Sequence, residues 1–85
     1  MLTWLRDWVV AVGTPSADGE ALEAPWAEAA HALQAALGVA PDVALLACDR
    51  SEDLGVDQGR DVVRLTSPGA LAARAARSRP RPGPK

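Results

Sequence analysis

Large side chains that could form a hydrophobic core are scarce in this chain, and that scarcity limits what it can fold into. Alanine supplies 18 of the 85 residues, whereas isoleucine, phenylalanine and tyrosine are absent. The bulky apolar side chains are therefore leucine, valine and three tryptophans, Trp4, Trp8 and Trp26. Each tryptophan can bury about 200 Å², which contributes about 5 kcal/mol before conformational entropy is counted. We expect these side chains either to form the core or to mark an interface.

A chain of 85 residues has room for one domain. Such a domain buries only about 60–65% of the surface of its unfolded chain, so we expect marginal stability unless a partner contributes. The single cysteine, Cys48, excludes an intramolecular disulfide and a metal site built from several cysteines. The preference for arginine over lysine, together with abundant alanine, glycine and proline, is typical of a GC-rich bacterial genome.

Charge divides the chain into two parts. Residues 1–69 carry four basic and eleven acidic side chains, a net charge of −7. Residues 70–85 carry five basic and no acidic side chains, a net charge of +5, and contain three prolines after residue 78. We therefore predict an acidic globular domain over 1–69 and a basic, proline-rich tail over 70–85. Within the tail we expect a weak helix at 70–77 and disorder at 78–85.

The first segment has two competing patterns. Trp8, Val10 and Val12 alternate with Val9 and Ala11, and the β-branched valines among them favour a strand over residues 6–12. Leu2, Leu5 and Val9 instead lie at helical spacing, so a helix is the alternative reading. We prefer the strand.

The rest of the chain predicts one helix and two further strands. An apolar stripe that begins after Pro25 and stops before Gly38 predicts a helix over residues 25–37. Residues 42–48 are apolar on both faces, which is typical of a buried central strand. Residues 62–65 read as a last strand, and Pro68 follows it.

This order predicts a small single domain of the α/β or α+β class with a β-α-β-β core. The strand–helix–strand unit suggests a parallel pair joined by a right-handed crossover. The last strand would then pair antiparallel with residues 42–48 across the polar segment 49–61. A marginal C-terminal helix and the basic tail complete the expected arrangement.

Candidate catalytic and metal-binding residues are few. Cys48, at the end of a predicted strand and beside Arg50, is a weak candidate for a reactive thiol. Asp49, Asp53 and Asp57 supply oxygen atoms at short intervals, which makes them weak candidates for a cation site, although the spacing does not fit a calcium-binding loop. We expect no cofactor, and the sequence leans against an enzyme.

The leading hypothesis is a small accessory or adaptor protein that acts by binding another protein or by self-association. Trp4 and Trp8 would form its apolar anchor, and an arginine-rich arm would add electrostatic contact. The arm comprises Arg74, Arg77, Arg79 and Arg81. One alternative is a nucleic-acid-associated protein that binds through the basic tail. Another is a small thiol-dependent enzyme or redox carrier centred on Cys48.

The sequence contains no segment that predicts insertion into a membrane. The longest apolar run near the start covers only residues 8–12, which is too short for a signal peptide or a membrane span. We therefore expect a cytoplasmic protein without a membrane partner.

Overall fold

The computed structural model describes residues 1–72, and these form an α+β domain with an antiparallel four-stranded sheet. This confirms the predicted class. The elements, in chain order, are α1 (Leu2–Val12), β1 (Thr14–Pro15), β2 (Leu22–Pro25), α2 (Trp26–Leu37), α3 (Pro41–Asp49), β3 (Leu54–Asp57) and β4 (Val62–Leu65). Residues 68–72 are helical as well. The remainder of the predicted tail, from residue 73 onward, lies outside the described residues.

The sheet has the strand order β1-β2-β4-β3, and every neighbouring pair is antiparallel. In the centre, β2 pairs with β4 in a register that places Leu22 opposite Leu65. The hairpin β3–β4 places Leu54 opposite the same Leu65. The predicted parallel pair with a right-handed crossover is therefore wrong, because the segment assigned as its second strand is a helix.

The prediction of a strand over residues 6–12 is also wrong, since this segment belongs to α1. Leu5 and Val9, one helical turn apart, are both fully buried. Val10 is only half-buried and Val12 is 50% exposed, so the alternating pattern does not face a core. Burial of Leu5 and Val9, four residues apart, therefore stabilises the helix, although the β-branched residues of this segment favour a strand.

The strand predicted over residues 42–48 is helix α3. Pro41 occupies the first turn, where its missing N–H costs no hydrogen bond, and Asp42 places a carboxylate near the positive end of the helix dipole. Ala44 and Cys48, four residues apart, are the two buried side chains of this helix. A run that is apolar on both faces does not distinguish a strand from a short helix, which explains the error.

The predictions of a helix near 25–37 and of a strand over 62–65 are confirmed. Pro25 lies just before α2 as its N-cap residue. At the other end Gly38 adopts φ +67°, the left-handed conformation that favours glycine, and its N–H donates to the carbonyl of Gln34 at 3.0 Å.

Small and medium-sized side chains form the core, and the tryptophans lie at its border. The buried cluster draws on α1, α2 and α3 and on β2, β3 and β4. Its members are Leu5, Val9, Leu22, Ala24, Ala29, Leu33, Ala44, Cys48, Leu54, Val63 and Leu65. Trp4, Trp8 and Trp26 are half-buried and pack against this cluster. With so few large residues inside, each buried leucine carries a large share of the stability.

A side-chain ion pair connects α1 to the segment between α3 and β3. The guanidinium of Arg6 donates from Nε and Nη2 to the two carboxylate oxygens of Asp53, at 2.8 and 2.9 Å. Ser51 donates its hydroxyl to Asp53 at 2.7 Å. The contacts from Arg6 and Ser51 hold the pKa of Asp53 below its usual range. This pair therefore stabilises the position of α1 relative to the end of α3.

We expect Asp53→Asn to lower the free energy of unfolding at neutral pH by about 0.5–1 kcal/mol, because both partners are partly exposed. Since the folded-state pKa lies below the unfolded value, the stabilisation is complete above about pH 4 and is lost as the pH falls through the folded-state pKa. Urea denaturation at a series of pH values should show wild type and variant converging in acid. Asp7→Asn, an exposed position on α1, is the control; a difference that does not shrink as the pH falls below about 4 would contradict the assignment.

Candidate functional site

Helices α2 and α3 form a helix–turn–helix unit. Three residues, 38–40, connect them, and the chain direction changes by 111° between the two helices. Two helices at about 90–120° joined by a short turn that contains glycine define this motif. Gly38 supplies the left-handed residue of the turn. The antiparallel hairpin β3–β4 follows α3 directly in the chain.

The outer face of α3 carries the most exposed large apolar side chains in residues 1–72. Val43 is 57% exposed and Leu46 is 53% exposed. They lie three residues apart and therefore on one side of the helix, whereas Ala44 and Cys48 hold the opposite side in the core. A shallow cavity of about 350 Å³ lies along this face. Its lining residues are Asp42, Val43, Leu45, Leu46 and Asp49.

The charged residues within α3 are acidic. Asp42 and Asp49, seven residues apart, are exposed at the two ends of α3, and the helix contains no arginine or lysine. The exposed Arg50 follows directly with helical backbone angles and, four residues after Leu46, adds a positive charge beside Asp49 on this side. We call the surface formed by Asp42, Val43, Leu46 and Asp49 the α3 face: an apolar centre between two carboxylates.

The other three arginines in residues 1–72 are held by carboxylates. Arg6 pairs with Asp53. Arg60, in the β3–β4 turn, bridges Glu23 and Asp57. Arg64 lies 3.3 Å from a Glu23 oxygen through its Nε and 3.5 Å from Asp18 through Nη2. Their charge is therefore compensated within the domain.

A helix–turn–helix unit that reads DNA inserts its second helix into the major groove, and its affinity depends on cations near the phosphates. In this chain the charged residues within the second helix are the carboxylates Asp42 and Asp49. These two carboxylates oppose the approach of a polyanion to the helix.

A larger cavity of about 410 Å³ lies beside the edge strand β3. Two of its charged lining residues, Asp53 and Arg64, are engaged in ion pairs with other parts of the domain. Asp57, a third, is held by Arg60. Three of the four charged groups of this cavity are therefore used for internal contacts, Glu52 being the exposed fourth, and the α3 face presents the more exposed apolar surface.

Trp4 and Trp8, the tryptophans expected to anchor a partner, lie one turn apart on α1. Both are half-buried against the core, so each leaves only part of its surface for a partner. They lie on a different helix from the α3 face. The arm arginines Arg74, Arg77, Arg79 and Arg81 lie outside the described residues.

The three aspartates considered as cation ligands have separate roles. Asp53 pairs with Arg6, and Asp57 accepts from Arg60, which lowers the pKa of the Asp57 carboxyl. Asp49 ends α3. Within residues 1–72 no group of three or more histidine, cysteine or carboxylate side chains is placed to hold a metal ion.

Cys48 lies on the inward side of α3 and is fully buried. Burial raises the pKa of the thiol, Asp49 raises it further, and the charge of Arg6 opposes this only in part. A thiol in such a site stays protonated at neutral pH, and a protonated thiol is a poor nucleophile. Cys48, which was expected at the end of a strand, therefore lies within helix α3.

We predict that a thiol-reactive dye labels Cys48 in the native chain at least about a hundredfold more slowly than in the unfolded chain, because labelling requires opening of the core. Absorbance of the released chromophore in buffer and in denaturant measures both rates. An Ala47→Cys/Cys48→Ala variant, with the thiol moved to a half-buried position, should react faster. Rapid labelling of native Cys48 would contradict its placement.

Val43 and Leu46 are the site residues that the sequence pattern did not reveal. Their segment was interpreted as a strand buried on both sides, which assigns every apolar residue to the interior. The available signal was the sequence Gly38 to Asp42: a helix-ending glycine, then proline three residues later and aspartate directly after it, a pair typical of a helix start.

No family model, curated protein or solved structure matches this chain. Within residues 1–72 no single helix is long and apolar enough to cross a membrane; only α2 and α3 together reach the required length, and they are bent at the turn.

Proposed function

We propose that the chain is a small accessory protein that acts by binding another protein, and that its helix–turn–helix unit presents the binding surface. The observation that carries this proposal is the pair Val43 and Leu46, more than half exposed on the outer side of α3. Burying apolar side chains of this size contributes about 1.5–3 kcal/mol each when burial is complete, and exposed apolar surface is typical of interaction sites.

The sequence-based hypothesis placed the apolar anchor at Trp4 and Trp8. Those side chains already use part of their surface against the core, so the α3 face supports the same function more directly. The arginine-rich arm remains a proposed second contact, since its +5 charge suits an acidic partner or the acidic domain itself.

Nucleic-acid binding is the second candidate function, because the helix–turn–helix geometry is one that DNA-binding proteins use. The carboxylates Asp42 and Asp49 oppose it at the helix that would enter the groove. On the described residues alone, a protein partner is therefore the better-supported proposal.

The test measures the amount of protein that the tagged full chain captures from a cell lysate, with and without nuclease treatment. We expect Val43→Ser/Leu46→Ser to reduce the captured protein at least about tenfold, since truncation of anchor residues at interfaces costs more than about 1 kcal/mol each. The matched control is Val12→Ser/Leu37→Ser, two apolar side chains of 50% and 46% exposure outside α3.

The control variant should retain the same partners, because it removes a similar amount of apolar surface elsewhere. Equal amounts of protein captured by the wild type and by Val43→Ser/Leu46→Ser would show that the α3 face is not the binding surface. Association that disappears on nuclease treatment would favour the nucleic-acid alternative.

A further inference from the structure

We propose that the occupant of the α3 face is an amphipathic helix of another protein, with two apolar side chains flanked on the same side by arginine or lysine. This inference rests on the proposed function and narrows it to a class of partner. The face has an apolar centre at Val43 and Leu46 and a carboxylate at each end.

The dimensions of the face favour a helical partner. Asp42 and Asp49 are seven residues apart, which corresponds to about 10.5 Å or two helical turns along the axis. A second helix laid along α3 presents residues i and i+7 on one side, so two basic residues at that spacing meet the two carboxylates. Between them, residues at i+3 and i+4 lie over Leu45 and Leu46, and Val43 lines the same cavity beside them. The open shape of the cavity, which follows the helix surface, suits this packing.

Charge favours a basic partner over a second copy of the same helix. In an antiparallel two-fold pairing of α3 helices, Asp42 of one copy lies near both Asp49 and Arg50 of the other copy, so each end of the interface combines a repulsive and an attractive contact. A partner with arginine or lysine opposite Asp42 and Asp49 instead gives each carboxylate an attractive contact.

The experiment uses two synthetic helical peptides of about 14 residues and the full-length chain. Both peptides carry leucines at positions i+3 and i+4 between flanking residues at i and i+7. The flanking residues are arginine in one peptide and glutamate in its twin. Fluorescence anisotropy of labelled peptide measures the dissociation constants, and a scrambled arginine peptide of equal charge is the control.

We expect the wild type to bind the arginine-flanked peptide at least about tenfold more tightly than the glutamate-flanked twin and the scrambled control. Asp42→Lys/Asp49→Lys should reverse the preference. Asp42→Asn/Asp49→Asn, which adds no charge at the start of the helix, should abolish it. Circular dichroism tests whether each variant is folded. If Asp42→Lys/Asp49→Lys does not fold, Asp42→Asn/Asp49→Asn decides the outcome.

Binding of neither peptide by the wild type would overturn this partner class. Equal binding of both flanked peptides would overturn the role of the carboxylates. In either case the differential capture of partners by the serine variants still decides whether the α3 face binds protein at all, so the two proposals fail separately.

Discussion

Replacement of Leu33 with alanine is expected to leave most of the chain unfolded in buffer. Leu33 is fully buried on α2 at the centre of the core cluster. Truncation of a buried leucine costs about 2–5 kcal/mol. A core in a domain of this size rarely supplies more than about 3–5 kcal/mol of net stability. Urea denaturation followed by tryptophan fluorescence and circular dichroism measures the loss.

Leu37 provides the matched control for this experiment. It lies one turn further along α2 and is 46% exposed, so Leu37→Ala removes the same atoms from the surface. We expect it to cost less than about 1 kcal/mol, as surface substitutions do. Similar losses at both positions would show that α2 does not face the core in the way described.

Gly13→Ala is the second substitution with a large expected effect. Gly13 follows α1, and its N–H donates to the Val9 carbonyl at 2.7 Å. A methyl group at this position would lie 2.5 Å from that same carbonyl oxygen and 3.2 Å from the Glu23 carbonyl oxygen of β2. Both contacts are with backbone, one in the last turn of α1 and one in β2, so the chain at the end of α1 must shift. We expect a loss of about 1–3 kcal/mol.

Gly55→Ala is the control for Gly13→Ala. Gly55 lies in β3, and a methyl group there would have no atom within 4 Å. Its backbone suits an ordinary residue, so we expect unchanged stability or a gain of about 0.4–1 kcal/mol from the smaller entropy of the unfolded chain. Thermal denaturation compares the two variants directly. A Gly13→Ala protein as stable as Gly55→Ala would contradict the close backbone packing around Gly13.

The contrast between α2 and α3 shows which elements could be predicted from sequence. For α2, local signals agreed: Pro25 before it, an apolar stripe along it and Gly38 after it. For α3, the composition allowed either structure, and the burial of Ala44 and Cys48 against the rest of the domain decided between them. That decision depends on contacts between distant parts of the chain, which periodicity within a nine-residue segment does not contain.

The same limit explains why the candidate site could not be predicted from the sequence. Exposure of Val43 and Leu46 depends on which side of α3 packs inward, whereas a strand buried on both faces would place both residues in the interior. The acidic character of residues 1–69 was visible from composition alone. The structure adds where that charge acts: Arg6, Arg60 and Arg64 are paired within the domain, whereas Asp42 and Asp49 flank an open apolar surface.

The central claim is that a helix–turn–helix unit in this chain presents an apolar and acidic face to a protein helix. The most direct measurement is an NMR titration of the full-length chain, labelled with ¹⁵N, first with the arginine-flanked peptide and then with duplex DNA at low salt. We predict that the peptide shifts the amide resonances of residues 42–50 and that DNA leaves them unchanged. Saturable shifts of the α3 amides with DNA, and none with the peptide, would contradict the account.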